Sequence, residues 1–415
     1  TPVRICLEPQ RSPAAFKRRS RPAKTRRRRL RGPVRVLMCS HDLNYTGAPL
    51  ALVELARHLR AQYPVELEVL SFADGPVRAQ FEQLELPVEV RRDDRGWDRI
   101  EYERMVSELA SWVVSRGIEV ALVNTVLAFP AADACTRAGI PVAWAIRESY
   151  APPLLEEVFQ FGPAIAGRLA EVLRDTSTLV FVAQATRRLY ERYLPTARCL
   201  TLRSGIDIDQ LDRWRAGIDR AEVRRELNLP GGASPVVLCV GTIAPHKGQV
   251  PLIQAFAEIA DCHSGAVLVL VGGSGDAHSE TARTAAEAFG IADRVRIEPA
   301  VADVRPWYAG ADVLVSASDV ESLPRSMLEA MAMRLPVLGT RVFGVPELIS
   351  DGHTGWLCEP RDVDALSRAL DRVLSLGPGT RAGIARNARA KVERENRSDV
   401  DAHNWASLLS QLARG

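Results

Sequence analysis

The stretch ADVLVSASDVESLPRSMLEAMAMRLPVLGT, residues 311–340, contains one complete strand–helix–strand pattern, the repeating unit of the predicted fold. Its part 312–317 is a short apolar run rich in β-branched residues, which is typical of a strand buried on both faces. A helical pattern over 326–334 follows, and the run 336–340 predicts the next strand. Buried strands joined by a helix indicate a parallel sheet with a right-handed crossover.

The same alternation of strands and helices fills two series along the chain. The first predicts strands at 34–40, 66–71, 88–90, 119–124, 142–147, 178–183 and 199–203. The second predicts strands at 236–240, 266–271, 295–299, 312–317, 336–340 and 355–358. A break near 204–235 separates the two series. We therefore predict an α/β fold of two Rossmann-like domains, 33–204 and 205–378, facing each other across a cleft, with the helices of 379–415 crossing back to the first domain.

The composition is that of a globular protein. Hydrophobic residues make up 47% of the 415 and charged residues 25%, which excludes collagen-like, mucin-like and wholly disordered chains. No apolar run approaches the roughly 20 residues that span a bilayer, so no transmembrane helix is predicted. Seven scattered cysteines without a CxxC pair favour a reducing, cytoplasmic setting over a disulfide framework.

Charge is distributed unevenly between the N-terminal tail and the body. Residues 1–32 carry twelve Lys or Arg and one acid, whereas the remainder has 42 basic and 50 acidic residues. Such a tail has no apolar period, and we expect it to be disordered. It is either without function, bound to anionic lipid headgroups, or bound nonspecifically to nucleic acid. The first interpretation is the simplest and lipid ranks second, so no specific nucleic-acid partner is expected.

Two glutamates of the opening stretch indicate a binding site. Glu321 ends a loop after a buried strand, and Pro324 suits the first turn of the following helix. Glu329 lies among apolar neighbours in that helix, where a lone carboxylate is costly unless it is paired. Either residue alone is explained by a buried ion pair or a helix cap. The spacing of seven residues between them, with these flanks, favours a site.

With these residues the sequence resembles the retaining glycosyltransferases of the GT-B fold, family four, often called the glycosyl transferase group 1 domain. The resemblance covers essentially all of 33–375 and is strongest over 236–360. It implies that Glu321 approaches the hydroxyls of a donor sugar, and that Glu329 accepts hydrogen bonds from the ribose of the nucleotide.

The resemblance also locates the diphosphate of the donor. The backbone of Leu323, Pro324 and Arg325, up to Ser326, is expected beside it. The unpaired N–H groups and partial positive charge of a helix start favour an anion at this place.

A strand-to-helix loop at 240–248, VGTIAPHKG, is expected to supply a cation. Gly241 forms its turn, and Lys247 matches the lysine that holds the pyrophosphate in the family. Thr242 stands where the family usually has Arg. We therefore expect Lys247, backbone amides and Arg325 to stabilise the departing nucleoside diphosphate.

Arg147, in WAIRES (144–149), ends a predicted strand of the first domain. Many family members have His there, in contact with the oxygens of the donor sugar. Arg keeps the positive charge and the donors but cannot act as a base. A salt bridge from Arg147 to a carboxylate of the other domain is an equally good interpretation.

Several glycines match positions near the ligands in the family. Gly47, in the turn TGAP (46–49), is expected to face the transferred sugar and the acceptor. Gly273 lies with Gly272 and Gly275 in a second-domain loop, and Gly344 is expected beside the donor. Glu347 is expected to hold structure rather than to touch a ligand.

No metal or cofactor is expected. The three Asp-x-Asp pairs at 207–209, 362–364 and 399–401 lie at predicted helix starts, where Asp is a favoured cap, and no histidine pair has metal-ligand spacing. A nucleoside diphosphate sugar would be a substrate rather than a cofactor.

The resemblance implies metal-independent, retaining transfer of a sugar to an acceptor hydroxyl, with Glu321, Arg147 and Lys247 as catalytic residues. The acceptor is expected to be lipid-linked or membrane-proximal, and the protein cytoplasmic, peripheral at the inner face of the membrane. The alternatives are a sugar-nucleotide epimerase of the same architecture, and a degenerate nucleotide-sugar binder or nucleic-acid-associated protein.

Overall fold

A computed structural model of the chain describes residues 32–91, 99–231 and 234–415. The basic tail, apart from Gly32, lies outside the described residues. Thirteen strands in this described part form two sheets in which every paired strand is parallel to its neighbour.

The first sheet has seven strands in the order β3-β2-β1-β4-β5-β6-β7. They are β1 (Val34–Ser40), β2 (Val65–Ser71), β3 (Val88–Val90), β4 (Val120–Asn124), β5 (Val142–Ile146), β6 (Thr178–Phe181) and β7 (Cys199–Thr201). Its helices are α1 (Gly47–Gln62), α2 (Arg78–Gln83), α3 (Arg99–Ser115), α4 (Phe129–Arg137), α5 (Leu155–Phe159), α6 (Pro163–Asp175) and α7 (Gln184–Glu191).

The second sheet has six strands in the order β10-β9-β8-β11-β12-β13. They are β8 (Val236–Val240), β9 (Val267–Gly273), β10 (Val295–Pro299), β11 (Val313–Ser316), β12 (Val337–Thr340) and β13 (Trp356–Cys358). The helices of this half are α8 (Ile208–Ala216), α9 (Arg220–Glu226), α10 (Gln249–Ile259), α11 (Ala277–Ala288), α12 (Arg305–Gly310), α13 (Arg325–Ala332), α14 (Val345–Leu348) and α15 (Val363–Ser375), followed by α16 (Pro378–Glu395) and α17 (Ser398–Leu412).

These two doubly wound sheets confirm the predicted α/β fold. All five residues of β4 and of β5 are buried, as expected for strands covered by helices on both faces. Each sheet reverses its strand order once, between β1 and β4 and between β8 and β11. In such sheets, ligands bind outside the carboxyl ends of the strands at this point of reversal.

The two C-terminal helices pack on different halves of the molecule. Helix α17 packs on α1, β4 and β5, and its Trp405 and Leu409 are buried in one cluster with Met38 and Leu52. Helix α16 packs on α13 instead, through Ala388 and Val392. Of the segment predicted to cross back, α17 therefore contributes to the first core and α16 to the second.

The chain passes between the two halves twice, at neighbouring positions. The Ile206 amide donates to the Asn396 carbonyl at 2.8 Å, and the Ser398 amide donates to the Ile206 carbonyl at 3.2 Å. A Cβ atom on Gly205 would lie 2.4 Å from Ser398 Cα, so glycine is needed for this approach. The two crossing segments thus form a short parallel pair.

Candidate functional site

A cleft of ≈ 570 Å³ lies between the two sheets. Residues after β1, β4 and β5 line one wall, among them His41, Thr125 and Arg147. Residues after the second-domain strands, together with the start of α13, line the other. Both walls are thus built from the carboxyl ends of parallel strands, where the fold favours ligand binding.

Lys247 and Glu321 meet inside the cleft. Lys247 Nζ donates to Glu321 Oε1 at 2.5 Å, and Ser318 Oγ donates to the same carboxylate oxygen at 3.1 Å. The two side chains are 28% and 13% exposed, so a ligand in the cleft can reach both. Thr242, where the resemblance expects Arg, is exposed at the same wall.

Glu329, inside α13, is held from two sides. Tyr308 Oη donates to Glu329 Oε2 at 2.8 Å, and Arg325 Nε donates to Glu329 Oε1 at 2.8 Å. Burial, together with the Glu329 carboxylate, raises the pKa of Tyr308, so its hydroxyl stays protonated and donates. Glu329 therefore has one neutral and one cationic donor, and its carboxylate lines the cleft.

The start of α13 also faces the cleft. Leu323, Pro324 and Ser326 line it, and no side chain caps the helix. The amino end of α13, between Glu321 and Glu329 in sequence, is the place where the helix favours an anion.

The Arg147 guanidinium donates to two neutral groups, whereas the Arg147 amide donates to Glu148 Oε2 at 2.9 Å. Its Nε donates to Asn124 Oδ1 at 2.9 Å, and its Nη1 donates to Ser204 Oγ at 2.6 Å, next to the crossing segment. Burial lowers the pKa of Arg147, while the charges of Asp401 and Glu148 oppose that shift. Within the described residues no salt bridge joins Arg147 to a second-domain carboxylate.

The predicted glycines divide into two groups. Gly47 and Gly241 line the cleft, and a Cβ atom on Gly47 would lie 3.7 Å from Arg325 Cβ. Gly273 and Gly344 are not among the lining residues. A Cβ atom on Gly344 would lie 1.7 Å from the Ser322 carbonyl oxygen, so this glycine lets two segments meet behind the cleft wall.

Three residues that act on the predicted site residues were missed by the sequence reasoning, and two of them, Tyr308 and Glu54, line the cleft. Tyr308 contacts Glu329, Glu54 of α1 contacts Arg325, and Asp401 of α17 lies near Arg147. For Glu54 a signal existed, since a carboxylate stands on an otherwise apolar helix face. Tyr308 and Asp401 carry no comparable signal, because their roles depend on contacts between distant parts of the chain.

Two Asp-x-Asp pairs begin with a helix cap. Asp207 Oδ1 accepts from the Gln210 amide and Asp362 Oδ1 from the Ala365 amide, both at 2.8 Å. Asp399 instead pairs with Arg397 and accepts from the Val400 amide. In the described part of the chain, no three His, Cys, Asp or Glu side chains are grouped to hold a metal ion. The same part has no helix long and apolar enough to cross a bilayer.

Known proteins resemble this chain in both sequence and structure. The model of the family described as "Glycosyl transferases group 1" matches residues 219–391. A D-inositol 3-phosphate glycosyltransferase of Streptomyces avermitilis is 29% identical, over 91% of this chain and 87% of that protein. A GDP-mannose-dependent alpha-(1-6)-phosphatidylinositol monomannoside mannosyltransferase of Mycobacterium tuberculosis is 31% identical over 60% and 64%.

Two solved structures illustrate the likeness of fold. Anabaena Alr3699/HepE in complex with UDP-glucose has a TM-score of 0.76 at 22% identity, over 91% of this chain and 99% of that one. WaaG, a glycosyltransferase involved in lipopolysaccharide biosynthesis, has a TM-score of 0.71 at 17% identity, over 90% and 99%.

Proposed function

This chain is a group 1 glycosyltransferase, and we propose that it moves a sugar from a nucleoside diphosphate to an acceptor hydroxyl with retention of the anomeric configuration and without a metal ion. The arrangement around the start of α13 carries the proposal. In the Lys247–Glu321 pair, Glu321 precedes that helix in sequence, and in the Tyr308–Glu329–Arg325 group, Arg325 and Glu329 are part of the helix.

Each part of this arrangement suits one part of the donor. The open helix start and Lys247 offer N–H donors and positive charge to the diphosphate. The Glu329 carboxylate offers acceptors to the ribose hydroxyls, and Glu321 does the same for the sugar. Charge that develops on the departing diphosphate is thereby met by fixed donors.

In the proposed reaction the bond between the anomeric carbon and the diphosphate oxygen breaks, and a bond to the acceptor oxygen forms on the same face of the sugar. The acceptor proton passes to the departing phosphate oxygen, so no separate base is required. Arg147 has no acceptor capacity and contributes charge and donors only.

The names of the relatives support a polyhydroxyl acceptor. One relative is named for D-inositol 3-phosphate and another for a phosphatidylinositol monomannoside. We propose that the acceptor is linked to a lipid or lies close to the cytoplasmic face of a membrane. The similar proteins differ in the base of the nucleotide sugar: one relative is named for GDP-mannose, and a structural neighbour holds UDP-glucose.

The donor site is tested by calorimetric titration with UDP, GDP, ADP and TDP. We expect one of them to bind, and Glu329→Ala to weaken it by roughly tenfold to hundredfold, since a charge-assisted hydrogen bond contributes about 1.5–3 kcal/mol. Glu393→Ala is a matched control, because Glu393 also pairs with an arginine on a helix but lies outside the cleft lining. Unchanged affinity in Glu329→Ala would contradict the assignment.

A further inference from the structure

Glu54 places a carboxylate of the first domain inside the cleft. It lies on α1 and lines the cleft, yet it is only 7% exposed. Its neighbours Leu52, Val53 and Leu55 are buried apolar residues of the same helix. Burial of a carboxylate among such neighbours is costly unless it is paired, so the position calls for an explanation beyond helix packing.

The partner of Glu54 belongs to the other domain. Arg325 Nη2, at the start of α13, donates to Glu54 Oε2 at 2.5 Å. The same guanidinium donates through Nε to Glu329 Oε1 at 2.8 Å. Although burial disfavours a charge on Arg325, the two carboxylates raise its pKa, so it is a permanent cation between them.

The geometry limits how much of Glu329 this cation uses. An ionised carboxylate offers about four acceptor positions. Tyr308 takes one and Arg325 Nε takes one, because the Nη2 group of Arg325 is turned to Glu54. Two acceptor positions of Glu329 are then left for a ligand, which matches the two hydroxyls of a ribose.

The contact is poorly suited to stability alone. Arginine and carboxylate pair most strongly through two parallel hydrogen bonds. Here Arg325 shares its donors between two carboxylates, and both Glu54 Oε1 and Arg325 Nη1 are buried without a partner among the described side chains and backbone groups. A simple tie between domains would be better served by a two-bond pair.

We propose that Glu54 is a positioning residue for the nucleotide: by holding Arg325 Nη2, it keeps Arg325 from pairing through two bonds with Glu329 and preserves the acceptor positions that the ribose requires. The affinity of a site built in the second domain is thereby set by a residue of the first. The inference rests on the proposed function, since it takes the ribose as the ligand of Glu329.

The test compares Glu54→Gln, Arg325→Gln and the double variant in titrations with the nucleoside diphosphate that the wild type binds best among UDP, GDP, ADP and TDP. Glu54→Gln is nearly isosteric, and we expect it to lower the affinity by about tenfold. Because Glu54 acts through Arg325, the double variant should bind no more weakly than Arg325→Gln alone. Glu54→Asp, which restores the charge, should recover part of the affinity.

A matched control separates this role from a structural one. Glu68 of β2 pairs with Arg116 at 2.9 Å, and its side chain is 13% exposed, outside the cleft lining. Glu68→Gln should change thermal stability at most and leave the affinity unchanged. Glu54→Gln with wild-type affinity but a lower melting temperature would overturn the inference and leave the donor site intact.

The experiment also covers a wild type that binds no diphosphate and a Glu54→Gln variant that does not fold. A wild type that binds none of the four diphosphates overturns the donor assignment and this inference with it. If Glu54→Gln does not fold, Glu54→Asp replaces it in the test. This shorter side chain is then expected to lower the affinity by about threefold, because its contact with Arg325 is lengthened. An unchanged affinity in a folded Glu54→Asp overturns the inference.

Discussion

Lys247 Nζ lies 2.5 Å from Glu321 Oε1, so the cation expected at the pyrophosphate is paired with the carboxylate expected at the sugar. The pair joins the 3-10 turn Pro245–Lys247, before α10, to the loop before α13. A donor that enters between β8 and α13 would meet both groups of this pair at once.

Replacing Lys247 by Ala should weaken binding of the nucleoside diphosphate by roughly tenfold to hundredfold, because one charge-assisted contact to a phosphate is lost. Isothermal calorimetry measures the change directly. Lys391→Ala is a matched control, since Lys391 also faces a glutamate, at 3.9 Å from Glu395, but outside the cleft lining. Equal affinities in wild type and Lys247→Ala would rule out the phosphate role.

Arg147 is expected to serve the transition state more than the ground state. Arg147→Ala should lower kcat more than it weakens donor binding, and Arg147→His should restore part of the rate because His keeps an N–H donor at this position. Steady-state kinetics and calorimetry on the same preparations separate the two quantities. A lower melting temperature with turnover preserved would indicate a purely structural role, through Asn124 and Ser204. Binding without transfer or hydrolysis of any nucleotide sugar in the wild type would favour a degenerate binder.

Transfer activity should survive EDTA. Asp207 and Asp362 already cap helices, which leaves their carboxylates poorly placed to share an ion. The assay follows sugar transfer with EDTA present, then with Mg²⁺ or Mn²⁺ added back. If the chelator abolishes activity and either ion restores it, the reaction needs a metal ion and one of the Asp-x-Asp pairs is a candidate ligand.

Asp401 should make the protein less stable as the pH rises from about 4 towards neutrality. Burial raises the pKa of Asp401 from 3.8 to about 7 in the folded chain, against the opposing effects of the Gly205 amide and Arg147. The folded state therefore keeps a proton that the unfolded chain releases above about pH 4, and the free energy of unfolding falls between that pH and about 7.

The expected size of this effect is up to roughly 1.4 kcal/mol per pH unit in that window, and nothing further above it. Asp401→Asn removes the titrating group while offering an oxygen to the Gly205 amide, which donates to Asp401 Oδ2 at 3.0 Å. Urea denaturation at pH 5, 6, 7 and 8 should show that the free energy of unfolding of the variant rises relative to that of the wild type up to about pH 7 and that the difference then levels off. If the free energies of unfolding of the two proteins change with pH in parallel, Asp401 is not the cause of the pH dependence.

Removal of residues 1–32 should leave donor binding unchanged and reduce binding to anionic liposomes. The cut precedes β1, which begins at Val34, so the first sheet keeps this interior strand. The loss should shrink with added salt, because the Debye length is about 8 Å at physiological ionic strength. Zwitterionic vesicles are the control, and equal binding of both proteins to anionic vesicles would deny the tail a membrane role.

Local pattern was sufficient to predict the fold. Buried strands such as β4 and β11 are short runs of apolar, largely β-branched residues. Because helices connect them, neighbouring strands run parallel. The family resemblance alone put Glu321 at the sugar and Lys247 at the pyrophosphate, and it did not predict that the two side chains pair with each other. The Glu54–Arg325 contact joins residues 271 positions apart, and no periodicity in either helix encodes which side chain of the other domain will face it.

Helix α17 has a consequence for the order in which the protein forms during synthesis. The first sheet emerges from the ribosome early, but Trp405 and Leu409, which cover part of α1 and the neighbouring strands, are made after the whole second sheet. Until then the apolar surface beneath them stays open to water and to other chains. Of the two halves, the one that is translated earlier is thus completed later, and a chain interrupted anywhere before 398 would leave that surface uncovered.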